Sequence, residues 1–288
     1  MGKKFEELEL RDDFMFGVVM RDPKYCKPFL ETILGIKISH IEYPKSQKAI
    51  DLSADAKSVR LDVYVEDGKN TVYDIEMQTT KEDNLPKRMR YYQGMIDLNI
   101  LEKGEGYRKL KRSFVIFICT FDLFGEGRHV YTFENRCIQD PDLVLGDEAT
   151  KIILNTKGTM DDVSPEMKRL LNYIDGEAPA DDFTKDLEEA VKSVRDNEKW
   201  RLDYMTLQMS YQEKYEQGLE QGATRGRMQV LVHLIAKKRN KNQSVPEIAE
   251  ALEEEEALVK RIVELLEESG GENTEEVVTK ALEDNYND

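Results

Sequence analysis

Residues 60–78 read RLDVYVEDGKNTVYDIEMQ, and this stretch decides the fold. Apolar and polar side chains alternate on both sides of Asp67-Gly68-Lys69-Asn70, as in strands whose successive side chains point to opposite faces. Asp-Gly is typical of the tight turn that joins two antiparallel strands, because both residues tolerate a positive φ. The stretch therefore predicts a β-hairpin with strands over residues 60–66 and 71–79.

Acidic side chains fall on both strands of this hairpin. Asp74, Glu76 and Gln78 share one face of the second strand, and the hairpin can place Asp62 of the first strand beside Glu76. Two adjacent carboxylates repel, so one pKa rises unless a cation neutralises them. Mg²⁺ prefers oxygen ligands and binds one or two carboxylates together with waters and phosphate. The pair is thus a candidate metal site, and the alternative is an ordinary solvated face.

The first half of the chain alternates between strand and helix patterns. A near-continuous apolar strand over residues 113–120 predicts a central position in a sheet that is covered on both faces. Further strands are predicted over residues 36–43, 130–133 and 151–155. Helices are predicted over residues 22–34 and 85–101, each with a proline near its start and a glycine after its end.

From residue 164 onward nearly the whole sequence predicts helix, including one long helix over residues 183–236. Within it, Gly218, Gly222 and Gly226 recur every four residues. Each glycine costs a lone helix about 1 kcal/mol relative to alanine. The stripe therefore indicates that another helix approaches closely, and the alternative is a flexible linker.

A segment near the end of the chain, residues 244–252, resembles the start of a helix-turn-helix. The helix that would follow is rich in leucine, valine and glutamate and carries few cations. A DNA-reading helix needs cationic or amide side chains that face the bases. We therefore favour an interaction helix over a DNA reader.

The net charge of −16 is unevenly spread. Residues 1–140 carry 23 Lys and Arg against 24 Asp and Glu, whereas residues 141–288 carry 19 against 34. Binding to nucleic acid favours a positive surface. Only the near-neutral first half could supply one, and the acidic half is best explained as a solvated helical surface.

No apolar run approaches the roughly 20 residues that span a bilayer. The N-terminal residues lack the apolar stretch of a signal peptide. We expect a soluble protein of the cytoplasm that contacts no membrane. The three cysteines are widely spaced and form no CxxC pair, so neither a disulfide framework nor a thiolate zinc site is indicated.

This sequence resembles one known family, because several of its motifs occur in the same order as in that family. The segments are Asp13-Phe14-Met15-Phe16, residues 57–63, Asp74-Ile75-Glu76-Met77-Gln78 and Arg88-Met89-Arg90-Tyr91-Tyr92, followed by the apolar strand and residues 131–135. Together they resemble the recombination-promoting nucleases and PD-(D/E)XK nuclease family transposases. That family often carries a lysine where this chain has Gly17.

The resemblance implies roles for individual residues. Asp62 and Glu76 would be metal ligands and catalytic residues, with the backbone carbonyl of Met77 as a third ligand. Gln78 would stand where the superfamily name has lysine, and glutamine can orient water only by hydrogen bonds. DNA contacts would come from three residues of the following helix: Arg88, Tyr91 and Tyr92. The two tyrosines could instead simply pack, and Arg88 could pair with acidic residues.

The resemblance also implies the fold class. We expect an α/β PD-(D/E)XK restriction-endonuclease-like core, a mixed sheet flanked by helices, followed by an acidic all-helical C-terminal region. The domains would be a nuclease-like domain over residues 1–158, a helical extension over 159–215, and a glycine-repeat helix with a helical interaction region over 216–288.

The function implied is a DNA endonuclease of the transposase or recombination type that depends on Mg²⁺ or Mn²⁺. The expected partners are DNA and further copies of the chain, bound through the C-terminal helices, and no small-molecule cofactor is expected. The alternative is a catalytically inactive nuclease fold that binds nucleic acid or protein.

Overall fold

The computed structural model describes residues 3–43, 62–101, 104–270 and 275–285. The chain divides into two compact units, Met1–Met205 and Thr206–Asp288. The domain boundaries predicted after residues 158 and 215 stay a prediction. Predicted strand residues 60 and 61 and the loop before them lie outside the described residues.

The first unit contains a sheet and the helices packed on it. The strands are β1 (Ile41–Glu42), β2 (Val63–Asp67), β3 (Thr71–Gln78), β4 (Arg112–Cys119), β5 (Val130–Phe133) and β6 (Ala149–Asn155). The helices are α1 (Asp13–Val19), α2 (Pro23–Leu34), α3 (Leu85–Ile100), α4 (Pro165–Ile174), α5 (Asp182–Arg195) and the start of α6 (Glu198–Arg239).

The sheet is mixed, with the strand order β1-β2-β3-β4-β6-β5. β3, β4 and β6 run parallel to one another, while β1, β2 and β5 pair antiparallel with their neighbours. β4 lies at the centre and is buried along nearly its whole length. The prediction of a central strand at residues 113–120 is therefore confirmed.

The hairpin β2–β3 forms with the predicted turn. The Asp67 carboxylate accepts hydrogen bonds from the backbone N–H groups of Lys69 (2.8 Å) and Thr71 (2.9 Å), and Asn70 takes a left-handed conformation with φ 64°. These contacts set the register, in which Tyr64 pairs with Asp74. The next pair is Val63 and Ile75, and one residue further on in the same register Asp62 lies opposite Glu76.

Helices cover both faces of the sheet. Ile75 and Met77 of β3 belong to a core shared with α1, α2, α4 and α5. The opposite face of β3 carries Asp74, Glu76 and Gln78 and is called the polar face below. Helix α3 covers that side of the sheet, where Met89 packs with Phe117 of β4. Because the polar face is buried, the alternative of a solvated face is wrong.

The strand predicted over residues 36–43 is reduced to Ile41–Glu42. The reason is a local contact at the end of α2. The backbone N–H of Ile38 donates to the Glu31 carboxylate (2.9 Å) rather than to a neighbouring strand, so strand pairing begins only at Ile41.

The long helix predicted over residues 183–236 is two helices, α5 and α6. The side chain of Asn197 accepts hydrogen bonds from the backbone N–H groups of Lys199 (3.0 Å) and Trp200 (3.3 Å). Asparagine caps a helix N-terminus well, because its side-chain oxygen satisfies N–H groups that have no partner within the helix. Asn197 therefore starts a new helix inside an otherwise continuous helical pattern.

The second unit is helical and includes the end of α6 with α7 (Val245–Leu252), α8 (Glu256–Glu268) and α9 (Glu275–Asn285). Its core is formed by buried apolar side chains from all four helices, among them Val232, Ile248, Ile262 and Val278. Glu253 makes the turn between α7 and α8 with φ 55°, without a glycine.

The three glycines of the stripe lie within α6, so the segment is helical and the linker alternative is wrong. A Cβ built at Gly218, Gly222 or Gly226 meets no atom within 4 Å. No helix in the described part of this chain therefore approaches the stripe closely. Separately, none of the described helices is long and apolar enough to cross a membrane.

A pair of isoleucine variants tests the fold. Ile116 in β4 is fully buried, whereas Ile138 is 90 % exposed. We expect Ile116→Ala to lower the free energy of unfolding by about 2–5 kcal/mol, because it leaves a cavity in the central strand. Ile138→Ala should change it by less than about 0.5 kcal/mol. Urea denaturation followed by circular dichroism measures both, and equal effects would contradict the assigned core.

Candidate active site

Asp62 and Glu76 are joined at the end of the hairpin by two reciprocal hydrogen bonds. The backbone N–H of Asp62 donates to Oε1 of Glu76 (2.9 Å). The backbone N–H of Met77 donates to Oδ2 of Asp62 (3.1 Å). Each carboxylate is thus held by the backbone of the opposite strand. The structure brings together the two acidic residues that the sequence pattern places side by side.

The polar face of β3 is shielded from water. Glu76 is 3 % exposed and Asp74 is completely buried. Burial raises the pKa of Glu76 well above its ordinary value, and the carboxylates of Asp74 and Asp62 raise it further. Burial, followed by the charge of Asp62, also raises the pKa of Asp74. These groups bind protons more strongly than exposed carboxylates do, because an ionised group is poorly solvated there.

Asp74 has no hydrogen-bond donor within reach of either carboxylate oxygen. The Glu76 carboxyl group lies close enough to interact with it. Carboxylates only accept hydrogen bonds, so a bond between these two groups requires a proton on one of them. A buried acceptor without a donor costs roughly 1–3 kcal/mol. The site therefore gathers acidic groups that lack hydrogen-bond donors sufficient to stabilise them all in the ionised form.

Arg88 brings a positive charge to the same place from the first turns of α3. Its Nη1 donates to Oε1 of Gln78 (2.9 Å), and its Nη2 donates to the hydroxyl of Tyr92 (3.1 Å). The guanidinium lies 3.9 Å from Oε2 of Glu76 and 3.7 Å from Oε2 of Glu82. The sequence predicts a phosphate contact for Arg88, and its main partner here is the side chain of Gln78.

Gln78 is held at both ends of its amide. Its Nε2 donates to the carbonyl oxygen of Thr80 (2.5 Å), while its Oε1 accepts from Arg88. The orientation of the amide follows from these partners, because nitrogen must donate and oxygen must accept. The amide of Gln78 is thus engaged by Arg88 and Thr80, whereas the sequence suggests that it orients water.

These residues line one cavity of about 300 Å³. Its walls include Asp62, Glu76, Met77, Gln78, Arg88 and Tyr92, and also Asp13, Thr79, Thr80 and Glu82. Tyr91 is not among the lining residues and is 40 % exposed on α3. Of the three proposed DNA contacts, two therefore line the cavity and the third does not.

Asp13, the first residue of α1, reaches the cavity although sequence reasoning gave it no role at the site. Burial, followed by the charge of Asp12, raises its pKa. Its only signal in the sequence is its place at the head of the Asp13–Phe16 motif. Gly17 lies on the same helix, and a Cβ there would sit 3.6 Å from the carbonyl oxygen of Asp62. The position of the family lysine therefore borders the site.

The groups present fit a hard divalent cation. Glu76 and Asp62 offer carboxylate oxygens in a polar cavity whose walls carry four acidic side chains and the single guanidinium of Arg88 among the described residues. The backbone N–H of Met77 donates to the carboxylate of Asp62. The backbone carbonyl of Gln78 instead accepts a hydrogen bond from the backbone N–H of Thr120, in the loop after β4 (3.1 Å). N–H and C=O of one strand residue point the same way and alternate along the strand. The carbonyl of Met77 thus faces the side of Asp62.

Among the described residues there is no group of three or more His, Cys, Asp or Glu side chains arranged to hold a metal. A cation at this site would instead be held by two carboxylates, one backbone carbonyl and water. Mg²⁺ is commonly bound in this way, since it retains several waters and needs few protein ligands. The donor set contains no sulfur and no imidazole, which favours Mg²⁺ or Mn²⁺ over Zn²⁺.

Comparison with known families agrees with the motif pattern. Residues 14–143 match the family model described as PD-(D/E)XK nuclease family transposase. The match includes α1, the hairpin, α3 and β4, and it confirms the family resemblance and the fold class expected from the sequence. No match was found among curated proteins or among solved structures.

The buried carboxyl groups predict how stability depends on pH when a chelator removes divalent ions. A carboxyl whose pKa is higher in the folded than in the unfolded protein binds a proton on folding. The free energy of unfolding should therefore fall as pH rises from about 4 through the raised pKa values of Asp74 and Glu76. Asp74→Asn should reduce this fall and stabilise the protein at neutral pH by roughly 1–3 kcal/mol.

Urea denaturation across that pH range measures the effect. Asp203→Asn is the matched control, because Asp203 is exposed on α6. This variant should follow the wild type. An Asp74→Asn protein that is less stable than wild type at neutral pH would show that the Asp74 carboxylate has a stabilising partner.

Proposed function

We propose that this chain is a divalent-metal-dependent DNA endonuclease of the transposase or recombination type, since residues 14–143 match the family model described as PD-(D/E)XK nuclease family transposase. The observation that carries the proposal is the reciprocal pair of hydrogen bonds between Asp62 and the Glu76–Met77 segment. It holds two carboxylates at one end of a hairpin, inside a cavity that is open to a substrate.

In this proposal, Asp62, Glu76 and the carbonyl of Met77 hold Mg²⁺ or Mn²⁺. When bound, the cation supplies positive charge to the phosphodiester and makes the attacking water more acidic. The two carboxylates are already oriented by backbone hydrogen bonds, so little rearrangement is needed for them to bind it. Catalysis benefits from charged groups that are positioned before the reaction begins.

The reaction is hydrolysis of a phosphodiester bond. The oxygen of one water molecule bonds to phosphorus, and the bond between phosphorus and one deoxyribose oxygen breaks. One proton of the water goes to that departing oxygen, and the other stays on the new phosphate monoester or passes to solvent. The products are one free hydroxyl and one phosphate monoester, with no change of oxidation state.

DNA would reach the cavity from the near-neutral part of the chain. Arg88 and Tyr92 line the cavity, and Tyr91 on the same helix is exposed for a contact outside it. Residues 1–140 carry a net charge near zero, in contrast to the acidic remainder. A phosphate backbone is repelled least by this half. Location in the cytoplasm remains part of the proposal.

A second candidate is a protein that keeps the nuclease fold for binding and does not cleave. One observation favours it: the strand position that gives the superfamily its lysine is Gln78, whose amide is fully engaged by Arg88 and Thr80. This candidate predicts no cleavage with any divalent ion. Measurement of cleavage separates the two.

We also propose that copies of this chain associate through α6. The glycine stripe leaves open space in the described part of the chain, and Tyr215 and Leu219, which adjoin the stripe on the same helix, are 63 % and 57 % exposed. Glycine permits the close approach of a second helix. A second copy of α6 would cover these exposed apolar groups.

Glu76→Ala tests the nuclease proposal. Purified protein with Mg²⁺ should nick supercoiled plasmid, and Glu76→Ala should lower the rate by at least about 100-fold, because it removes a metal ligand. Its Mg²⁺ binding measured by calorimetry should be lost as well. The matched control is Glu126→Ala, since Glu126 is exposed outside the cavity. Cleavage that survives Glu76→Ala in a folded protein would exclude this site.

Gly222→Glu tests the association. A Cβ at Gly222 meets no atom within 4 Å, and glutamate is a better helix former than glycine, so the helix should remain intact. A charged side chain on a packed stripe should separate the copies and lower the mass measured by light scattering. Gly94→Glu on α3, which is equally unobstructed, should leave the mass unchanged. An unchanged mass for Gly222→Glu would reject the stripe as an interface.

A further inference from the structure

The cavity that would receive a phosphodiester is lined by several like charges. Four carboxylates line it, those of Asp13, Asp62, Glu76 and Glu82. Among the described residues, Arg88 is the cationic side chain in the same wall. A phosphodiester is itself an anion and is repelled by these carboxylates. One divalent cation shared by two of them leaves net negative charge, so a further positive group is needed beside the phosphate.

Arg88 is held in place by neutral groups. Its two hydrogen bonds go to the amide oxygen of Gln78 and the hydroxyl of Tyr92. The guanidinium also lies over two rings, 5.2 Å from the centroid of Phe117 and 5.5 Å from that of Tyr92. These contacts fix the plane of the group without neutralising its charge, because none of the partners is an anion.

The carboxylates near Arg88 form only long ion pairs with it. Glu76 and Glu82 approach to 3.9 and 3.7 Å, which is beyond the usual length of a hydrogen bond. About 30 % of the Arg88 side chain remains exposed. An arginine has more N–H donors than its two hydrogen bonds use. N–H donors of this cationic group are therefore available towards the cavity.

We infer that Arg88 is a catalytic residue that contacts the phosphate being cleaved, and that Gln78 is the residue that positions it. The inference rests on the proposed nuclease function. Negative charge builds on the phosphate oxygens while water attacks, and a guanidinium binds two such oxygens in a geometry that suits its planar fork. Arg88 forms and breaks no covalent bond, and it stabilises the charge of the hydrolysis described above.

Arg88 and Gln78 together place a positive charge beside the phosphate, which a single lysine on β3 could do alone. Oε1 of Gln78 lies 2.9 Å from Nη1 of Arg88. A longer, cationic side chain at position 78 would therefore bring its charge into the region that the guanidinium occupies. Strand β3 supplies the anchor and helix α3 supplies the charge. The opposing explanation is structural: Arg88 would only balance the buried carboxylates of Asp74 and Glu76.

The test compares variants at both positions. Arg88→Gln should lower the rate of Mg²⁺-dependent plasmid cleavage by about 10²–10³-fold, the usual effect of removing one donor to the transition state. Arg90→Gln is the matched control, because Arg90 is exposed two residues away on the same helix. Arg88→Lys keeps the charge and should retain a larger share of activity than Arg88→Gln.

Gln78→Ala tests the positioning role. Gln78→Ala should slow cleavage. Adding Arg88→Gln to the Gln78→Ala protein should lower the cleavage rate much less than Arg88→Gln lowers it in the wild-type protein, because the effects of coupled residues are not additive. Gln78→Lys should restore cleavage at least about tenfold when introduced into the Arg88→Gln protein. Additive effects of the single variants, or no rescue by lysine, would overturn the assignment.

Mg²⁺ affinity, measured by calorimetry, distinguishes the catalytic from the structural explanation. The charge of Arg88 repels a cation but also favours ionised carboxylates, so its effects oppose each other. Arg88→Gln should bind Mg²⁺ within about threefold of wild type and melt at a similar temperature. Loss of Mg²⁺ binding in parallel with cleavage would favour the structural role. If the wild-type protein cleaves DNA and the Arg88→Gln protein is equally active, this inference alone is overturned. If the wild-type protein neither binds Mg²⁺ nor cleaves DNA, the nuclease function and this inference are overturned together.

Discussion

The reciprocal hydrogen bonds between Asp62 and the Glu76–Met77 segment are the constraint on which the site depends. They extend the hairpin ladder by side-chain contacts at the point where β2 begins. The Asp67 turn sets the register, and the register brings Asp62 opposite Glu76. A slip of one residue would turn every side chain of the strand to the other face, and the two acids would no longer meet.

The position of this pair beneath α3 explains its chemistry. Helix α3 shields the polar face of β3, so Asp74 and Glu76 lose most of their hydration. The same helix carries Arg88 and Tyr92 into the cavity. The buried carboxyl group of Glu76 thus lies in the same cavity as the positive guanidinium of Arg88. Because buried ionised groups destabilise the folded state, such a site costs stability unless a cation or a proton neutralises the carboxylates.

Local patterns in the sequence predict the parts of the fold that depend on local chemistry. The Asp-Gly turn and the alternation around it predict the hairpin, and the apolar run predicts the central strand β4. The contacts of Gln78 with Arg88 and the approach of Asp13 depend on how α3 and α1 pack, which periodicity does not reveal. The break at Asn197 was missed because one capping side chain interrupts a pattern that is otherwise helical.

The central claim is that Asp62 and Glu76 hold one divalent cation together. Its most direct test is a crystal grown with Mn²⁺ and measured for anomalous scattering. We expect an anomalous peak within about 2.2 Å of a carboxylate oxygen of each residue, close to the metal–oxygen distances of such sites. A well-ordered Asp62–Glu76 pair with no peak between the two carboxylates at saturating Mn²⁺ would contradict it.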